Sequence, residues 1–211
     1  MTRLLFPPRC LFCRELLPSE GHRVCVRCEE DLPRTAEGSL FALEEIVCAA
    51  PFFYEDMVRS LVNRYKFRGK HGHCVPMSAY IAQAAGHLPP ADLVTWTPVS
   101  RARLRSRGYD QSKLLARETG ARLALPVAET LRKVRDTPTQ NRMGDKDART
   151  QNVAGAFQAL PEAARGRRVL LVDDVCTSGA TLEECARTLR DAGADEVACA
   201  VFARSRHSGL L

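Results

Sequence analysis

The sequence predicts an α/β protein, a mostly parallel sheet flanked by helices behind a small N-terminal metal module, and three observations carry that expectation. From about residue 45, short apolar runs alternate with stretches of helical period; residues 168–182 run from strand to acids to hydroxyl-rich loop to helix without a break; and two C-x-x-C pairs stand in the first 30 residues. A chain of 211 residues has room for one such domain and an appendage, and 45% hydrophobic with 27% charged residues excludes disordered and fibrous classes. The expected division is a four-cysteine module over 1–40 and an α/β domain over 41–211.

Taken in order, Cys10-x-x-Cys13 and Cys25-x-x-Cys28 bring four soft thiolates into the spacing that closes a tetrahedral shell around zinc. A redox dithiol would need a thioredoxin-like βαβ context, which residues 1–40 lack. About 30 residues cannot build a core alone, so the metal supplies folding free energy, and four thiolates leave no open catalytic position. Arg9, Arg14, Arg23 and Arg27 around the module read as solvated surface. Ile46–Tyr54 is predicted as a strand, Met57–Phe67 and Met77–His87 as helices, and Asp92–Thr97 as a buried strand ending at Pro98. Between the two helices, His71-Gly72-His73-Cys74 reads as a polar loop in preference to a second metal cluster. A helix over 109–124, strands at Ala128–Val134 and Arg168–Val172, a helix at Ala180–Ala192 closed by Gly193, and a last strand at Glu196–Ala203 complete the pattern. Cys48 and Cys199 sit in apolar runs and read as buried small hydrophobes.

The segment Val169-Leu-Leu-Val-Asp173-Asp174-Val-Cys-Thr177-Ser178-Gly179-Ala180-Thr181 is the most informative in the chain. Its loop lies at the carboxyl edge of a parallel sheet, where ligands bind, and opens a helix whose free N–H groups attract anions. Gly179 is expected to let backbone approach a phosphate, with the Thr177, Ser178 and Thr181 hydroxyls donating further hydrogen bonds. Asp173 and Asp174 can accept from two vicinal hydroxyls or hold Mg²⁺ directly or through water. Walker A and G-x-G-x-x-G spacings are absent, and Cys176 has no recognisable partner base.

Charge is unevenly placed. Residues 101–149 carry 13 basic and 6 acidic side chains, while the whole chain has a net charge of +6. Arg101, Arg103, Arg105 and Arg107 alternate with other residues, so in an extended chain all four point one way. Their ligand is either a pyrophosphate leaving group or a nucleic-acid backbone. Base stacking needs aromatic rings, and Tyr109 is the sole ring in 101–149, so a self-sufficient single-strand binder is poorly supported. No run approaches the length of about 18 apolar residues needed for a membrane span, and Leu4-Leu5-Phe6 is cut short by Pro7-Pro8, which predicts a cytoplasmic protein without a membrane span.

The acid-pair segment resembles the phosphoribosyl pyrophosphate (PRPP) motif of type I phosphoribosyltransferases. Together with the four cysteines, Arg103-Leu-Arg-Ser-Arg107-Gly108-Tyr109-Asp110-Gln111-Ser112, Thr137-x-x-Gln140 and Arg149-x-x-Asn152-x-x-Gly155-Ala-Phe157, nearly the whole chain resembles the ComF family of competence proteins. Asp110 departs from the asparagine common there. The resemblance implies a phosphoribosyltransferase-type sheet, Asp173 and Asp174 on ribose and Thr177–Thr181 on the 5′-phosphate; in the enzyme reading Arg101 and Arg107 are the candidates for pyrophosphate. It implies structural zinc, Mg²⁺, PRPP or a related phosphoribosyl nucleotide as ligand, and residues 135–152 as a mobile loop over the site. It also implies a role in DNA uptake, with single-stranded DNA and a competence motor or helicase as candidate partners. No residue stands out as a base for an acceptor, so two readings stay open: a phosphoribosyltransferase and a non-catalytic adaptor that retains the fold.

Overall fold

A computed structural model of the chain describes residues 7–18, 23–36, 39–67, 69, 71–136 and 152–206. In chain order the elements are α1 (Val26–Asp31), β1 (Leu40–Ala42), β2 (Val47–Ala49), β3 (Phe52–Phe53), α2 (Asp56–Phe67), a 3₁₀ turn (His71–His73) and α3 (Cys74–Ala85). There follow β4 (Leu93–Trp96), α4 (Arg101–Arg107), α5 (Gln111–Leu123), β5 (Leu131–Lys133) and β6 (Phe157–Ala159). Last come β7 (Arg168–Cys176), α6 (Ala180–Asp191) and β8 (Glu196–Arg204). The main sheet runs β1-β2-β8-β7-β4, with β3 also on β8; only β1 is antiparallel to its neighbour.

The central strands are near-continuous apolar runs because both faces are covered. Along β7, Leu170 and Val172 face one core while Val169 and Leu171 face the other; along β8, Ala198, Ala200 and Phe202 oppose Val197, Cys199 and Val201. The first face packs on α2, α3 and α5, the second on α6, through Leu182, Cys185, Ala186 and Leu189. That i, i+3, i+4, i+7 spacing is the one the sequence shows. Cys48 and Cys199 are fully buried opposite each other in the β2–β8 register.

Three sequence expectations are corrected. Ile46–Tyr54 is not one strand: β2 stops at Ala49, the chain bends at Pro51, whose nitrogen has no proton to give the ladder, and β3 resumes against β8. Ala128–Val134 is divided. Ala128 donates to Val94 O along the free edge of β4, whereas β5 pairs antiparallel with β6 in a separate two-stranded ribbon. The run of arginines from 101 to 107 is a helix, not an extended chain. Ser100 Oγ accepts from Arg103 N–H at the start, and Gly108, at φ 79°, ends it.

The cysteine module shares the first core. Cys10, Leu11, Phe12, Cys28 and Leu32 belong to the same buried cluster as Phe52, Val94 and Trp96, and Phe12 meets Phe52 edge-on at 6.1 Å. From α2, Arg64 Nη2 donates to Leu11 O at 2.8 Å and Phe12 O at 2.9 Å. Among the described residues no helix is long and apolar enough to cross a membrane. Residues 137–151, most of the segment expected to be a mobile loop, lie outside the described residues.

Candidate phosphoribosyl site

At the carboxyl end of β7 a cleft of about 910 Å³ opens, bounded by the C-terminal half of α2, the segment after β4, the N-terminus of α5, β5 and the β7–α6 loop. It is the crevice outside the strand ends where open α/β sheets bind ligands. Asp173, Asp174, Thr177, Ser178, Ala180 and Thr181 all line it. Gly179 stands at the N-cap of α6 with φ 87° and, as a glycine, brings no side chain of its own to cap that helix end. The first turn of α6 therefore presents backbone N–H groups to the cleft, as an anion requires.

Gly179 also serves the packing of its loop. A Cβ there would lie 2.7 Å from Leu43 Cδ2, so the glycine lets the loop close on the β1–β2 turn and take a left-handed φ. Gly179→Ala is expected to lower stability by about 2–4 kcal/mol, combining backbone strain with overpacking. Urea denaturation measures this.

The acid pair is held from two directions. Ser112 Oγ, on the first turn of α5, donates to Asp173 Oδ1 at 2.7 Å, and Asp174 N–H donates to the same oxygen at 2.7 Å. Lys66 Nζ, near the end of α2, stands 2.7 Å from Asp174 Oδ1. Burial, and then the Asp174 carboxylate, push Asp173 up to about 7. Burial opposes the charge on Lys66, yet the two carboxylates outweigh it and hold its ammonium above the ordinary lysine range. Asp174 Oδ2 and Gln111 Oε1 are buried without a hydrogen-bond partner in the structure, while both residues line the cleft. Unpaired buried acceptors await a donor or a cation. The donor set fits Mg²⁺, which takes carboxylate oxygens together with ligand oxygens.

Among the described residues, five cationic side chains, Arg59, Lys66, Arg103, Arg107 and Lys133, line the cleft against two carboxylates, Asp173 and Asp174, a formal excess of three positive charges. Helix α4 explains which arginines take part: Arg103 and Arg107, one turn apart, line the cleft, and Arg101 is not among the lining residues. Arg107 lies 4.9 Å over the exposed ring of Phe67. Asp110 caps α5, accepting from Lys113 N–H at 3.0 Å and Val99 N–H at 3.3 Å. Asparagine could accept only one of these two bonds, so the aspartate at this position ties the start of α5 to Val99 as well as capping it.

Lys66 is not among the candidates that the sequence singles out. The signal was present in α2, where Val58, Leu61, Val62 and Tyr65 are the buried stripe and Lys66 falls four residues after Val62. A lysine at the edge of a buried stripe needs an acid. Ser112 and Gln111 gave no comparable signal, because their placement depends on how α5 meets β7.

At the other end, the sulfurs of Cys10, Cys13, Cys25 and Cys28 all lie within 4.8 Å of one another, and those of Cys13 and Cys25 are 3.6 Å apart. Tetrahedral Zn–S bonds of about 2.3 Å require S···S separations of about 3.8 Å, so the four thiolates form a structural zinc site. It is the one group of potential metal-binding side chains of this kind among the described residues, and the His71–Cys74 segment forms none.

Residues 110–211 match the model of the phosphoribosyl transferase domain, and residues 1–40 that of the double zinc ribbon domain. Competence protein F of Haemophilus influenzae is 29% identical over 153 residues, 68% of this chain and 66% of that protein. Competence protein ComFC of Bacillus subtilis is 27% identical over 180 residues, 83% of this chain and 70% of that protein. The chain is thus similar to the ComF-type competence proteins over most of its length. It combines a zinc-ribbon module with a phosphoribosyltransferase-type sheet. The matched stretch spans just under two thirds of the Haemophilus relative's length. Among solved structures, a glutamine PRPP amidotransferase from B. subtilis is 26% identical over 61% of this chain and 26% of that one. Its TM-score of 0.44 is too loose an overlap to bear on the site.

Proposed function

We propose that the cleft binds PRPP with Mg²⁺ and that the protein acts in the handling of incoming DNA. The carrying observation is the acid pair beside a helix N-terminus whose cap residue is a glycine, inside a cleft whose described lining has an excess of three positive charges. PRPP carries a monophosphate, vicinal hydroxyls and a pyrophosphate, one group for each feature. The α6 N-terminus with Thr177, Ser178 and Thr181 takes the 5′-phosphate, Asp173 and Asp174 the ribose hydroxyls, and Arg103 and Arg107 the pyrophosphate. In this reading Arg101, which is not among the lining residues, adds only long-range charge. Mg²⁺, when bound, supplies charge to the pyrophosphate oxygens. In turnover, an acceptor nitrogen forms a bond to C1 as the C1–O bond breaks and pyrophosphate leaves with the electron pair. The chain contributes positioning and charge to that displacement. The DNA-handling role is supported by the likeness to the competence proteins F and ComFC, and we read the protein as cytoplasmic, with single-stranded DNA or a DNA-translocating motor as partner.

Calorimetric titration of zinc-loaded protein with PRPP and Mg²⁺, followed by a screen for pyrophosphate release on adding nitrogen bases, tests the enzyme. The adaptor reading requires instead salt-sensitive DNA binding that survives loss of the acid pair. Arg103→Ala and Arg107→Ala are each expected to weaken inhibition by inorganic pyrophosphate about 10-fold or more, as loss of a charged hydrogen bond does, and Arg101→Ala about twofold at most. Competition titrations against PRPP give the three constants.

A further inference from the structure

The ribose end of the cleft contains its own cation. Two adjacent carboxylates share a floor in which Asp174 is only 3% exposed, and such a pair needs a positive partner to stay ionised. Lys66 is that partner, and it is held in place by its neighbours. Tyr65, next to it, donates from its hydroxyl to Gln111 O at 2.6 Å, and the Tyr109 hydroxyl donates back to Tyr65 O. The end of α2 is thereby pinned to the start of α5, the turn that sends Ser112 to Asp173. With Lys66 on Oδ1, Asp174 keeps Oδ2 unpaired, and Gln111 Oε1 is unpaired beside the same cleft. Both atoms accept, and with Lys66 already supplying a positive charge at Asp174, a neutral donor such as a sugar hydroxyl can complete them as well as a cation.

We propose that Lys66 is a built-in counter-cation of the acid pair, so that the ribose 5-phosphate half of a ligand binds without a divalent metal and Mg²⁺ serves only the pyrophosphate half. The inference rests on the phosphoribosyl reading of the cleft and assigns Lys66 as a positioning residue. A lysine that merely tied α2 to β7 would leave the metal requirement unchanged, whereas a counter-cation can be replaced by a metal ion.

The test is calorimetric titration of the full zinc-loaded chain with ribose 5-phosphate, in metal-depleted buffer and in excess Mg²⁺, for the wild type, Lys66→Met and Lys66→Arg. The wild-type affinity is expected to agree within about twofold between the two buffers. Lys66→Met is expected to lose at least about tenfold without Mg²⁺ and to regain most of it with Mg²⁺, while Lys66→Arg stays near wild type. Melting curves of each variant show whether it is folded, and the wild-type comparison needs no variant. Wild-type binding that requires Mg²⁺ overturns the inference and leaves the phosphoribosyl site standing, as does a loss in folded Lys66→Met that Mg²⁺ does not relieve. Absence of ribose 5-phosphate binding by the wild type in both buffers overturns the phosphoribosyl reading and this inference together.

Discussion

Replacing Asp173 and Asp174 together by asparagine is expected to weaken PRPP binding in Mg²⁺ by at least about 100-fold, the loss of two or more charged hydrogen bonds at about 1.5–3 kcal/mol each. Asparagine keeps the size of aspartate and removes the charge, so the cleft retains its shape. Two opposed effects act on stability. Lys66 Nζ loses the carboxylate 2.7 Å away, which destabilises, while removing adjacent buried carboxylates relieves the repulsion that pushes Asp173 up to about 7. The change in melting temperature should therefore be small against the change in affinity. The single variant Asp173→Asn isolates the second effect. An aspartate raised in the folded state binds more protons there than in the unfolded chain, so wild-type stability falls as pH rises from the ordinary aspartate range to about 7. Asp173→Asn should flatten that decline, and urea titrations across this pH range measure it.

The second large effect lies at the opposite end of the chain. Removal of zinc, by chelation or by Cys25→Ser, is expected to lower the melting temperature by at least about 10 °C. Structural zinc contributes several kcal/mol to folding, and each kcal/mol is worth about 2–4 °C at this size. The loss is expected to spread beyond the ribbon, because Cys10, Phe12 and Cys28 share a buried cluster with Phe52 and Trp96. Arg64 also ties α2 to the ribbon carbonyls of Leu11 and Phe12, and two residues further along α2 stands Lys66. Fluorescence of Trp96, the chain's one tryptophan, reports on the distant strand β4. If chelation leaves both the melting temperature and this signal unchanged, the zinc ribbon is not part of the fold's stability.

The parts of this design that were legible in the sequence are those fixed by local chemistry. The strand, acid pair, loop and helix of residues 168–191 are contiguous, and β7 and α6 form there with the predicted buried stripe. The four cysteines are two local knuckles with one metal as their shared purpose. What was not legible depends on pairing between distant segments. Lys66 and Asp174 are brought together by the packing of α2 against the sheet, and Ser112 reaches Asp173 only because α5 begins beside β7. The arginine run shows a different failure. Alternation alone points all four arginines one way, yet Ser100 before the run and Gly108 after it are the helix's start and stop signals. Reading those two residues would have paired Arg103 with Arg107 on one face and set Arg101 aside.

The most direct measurement is a crystal structure of the zinc-loaded protein with PRPP and Mg²⁺. The expected result is a 5′-phosphate against the N–H groups at the start of α6 and the ribose hydroxyls on Asp173 and Asp174, with Lys66 still on Asp174 and pyrophosphate facing Arg103 and Arg107. A ligand seated elsewhere, or a cleft left empty at saturating PRPP, would contradict the assignment of this cleft.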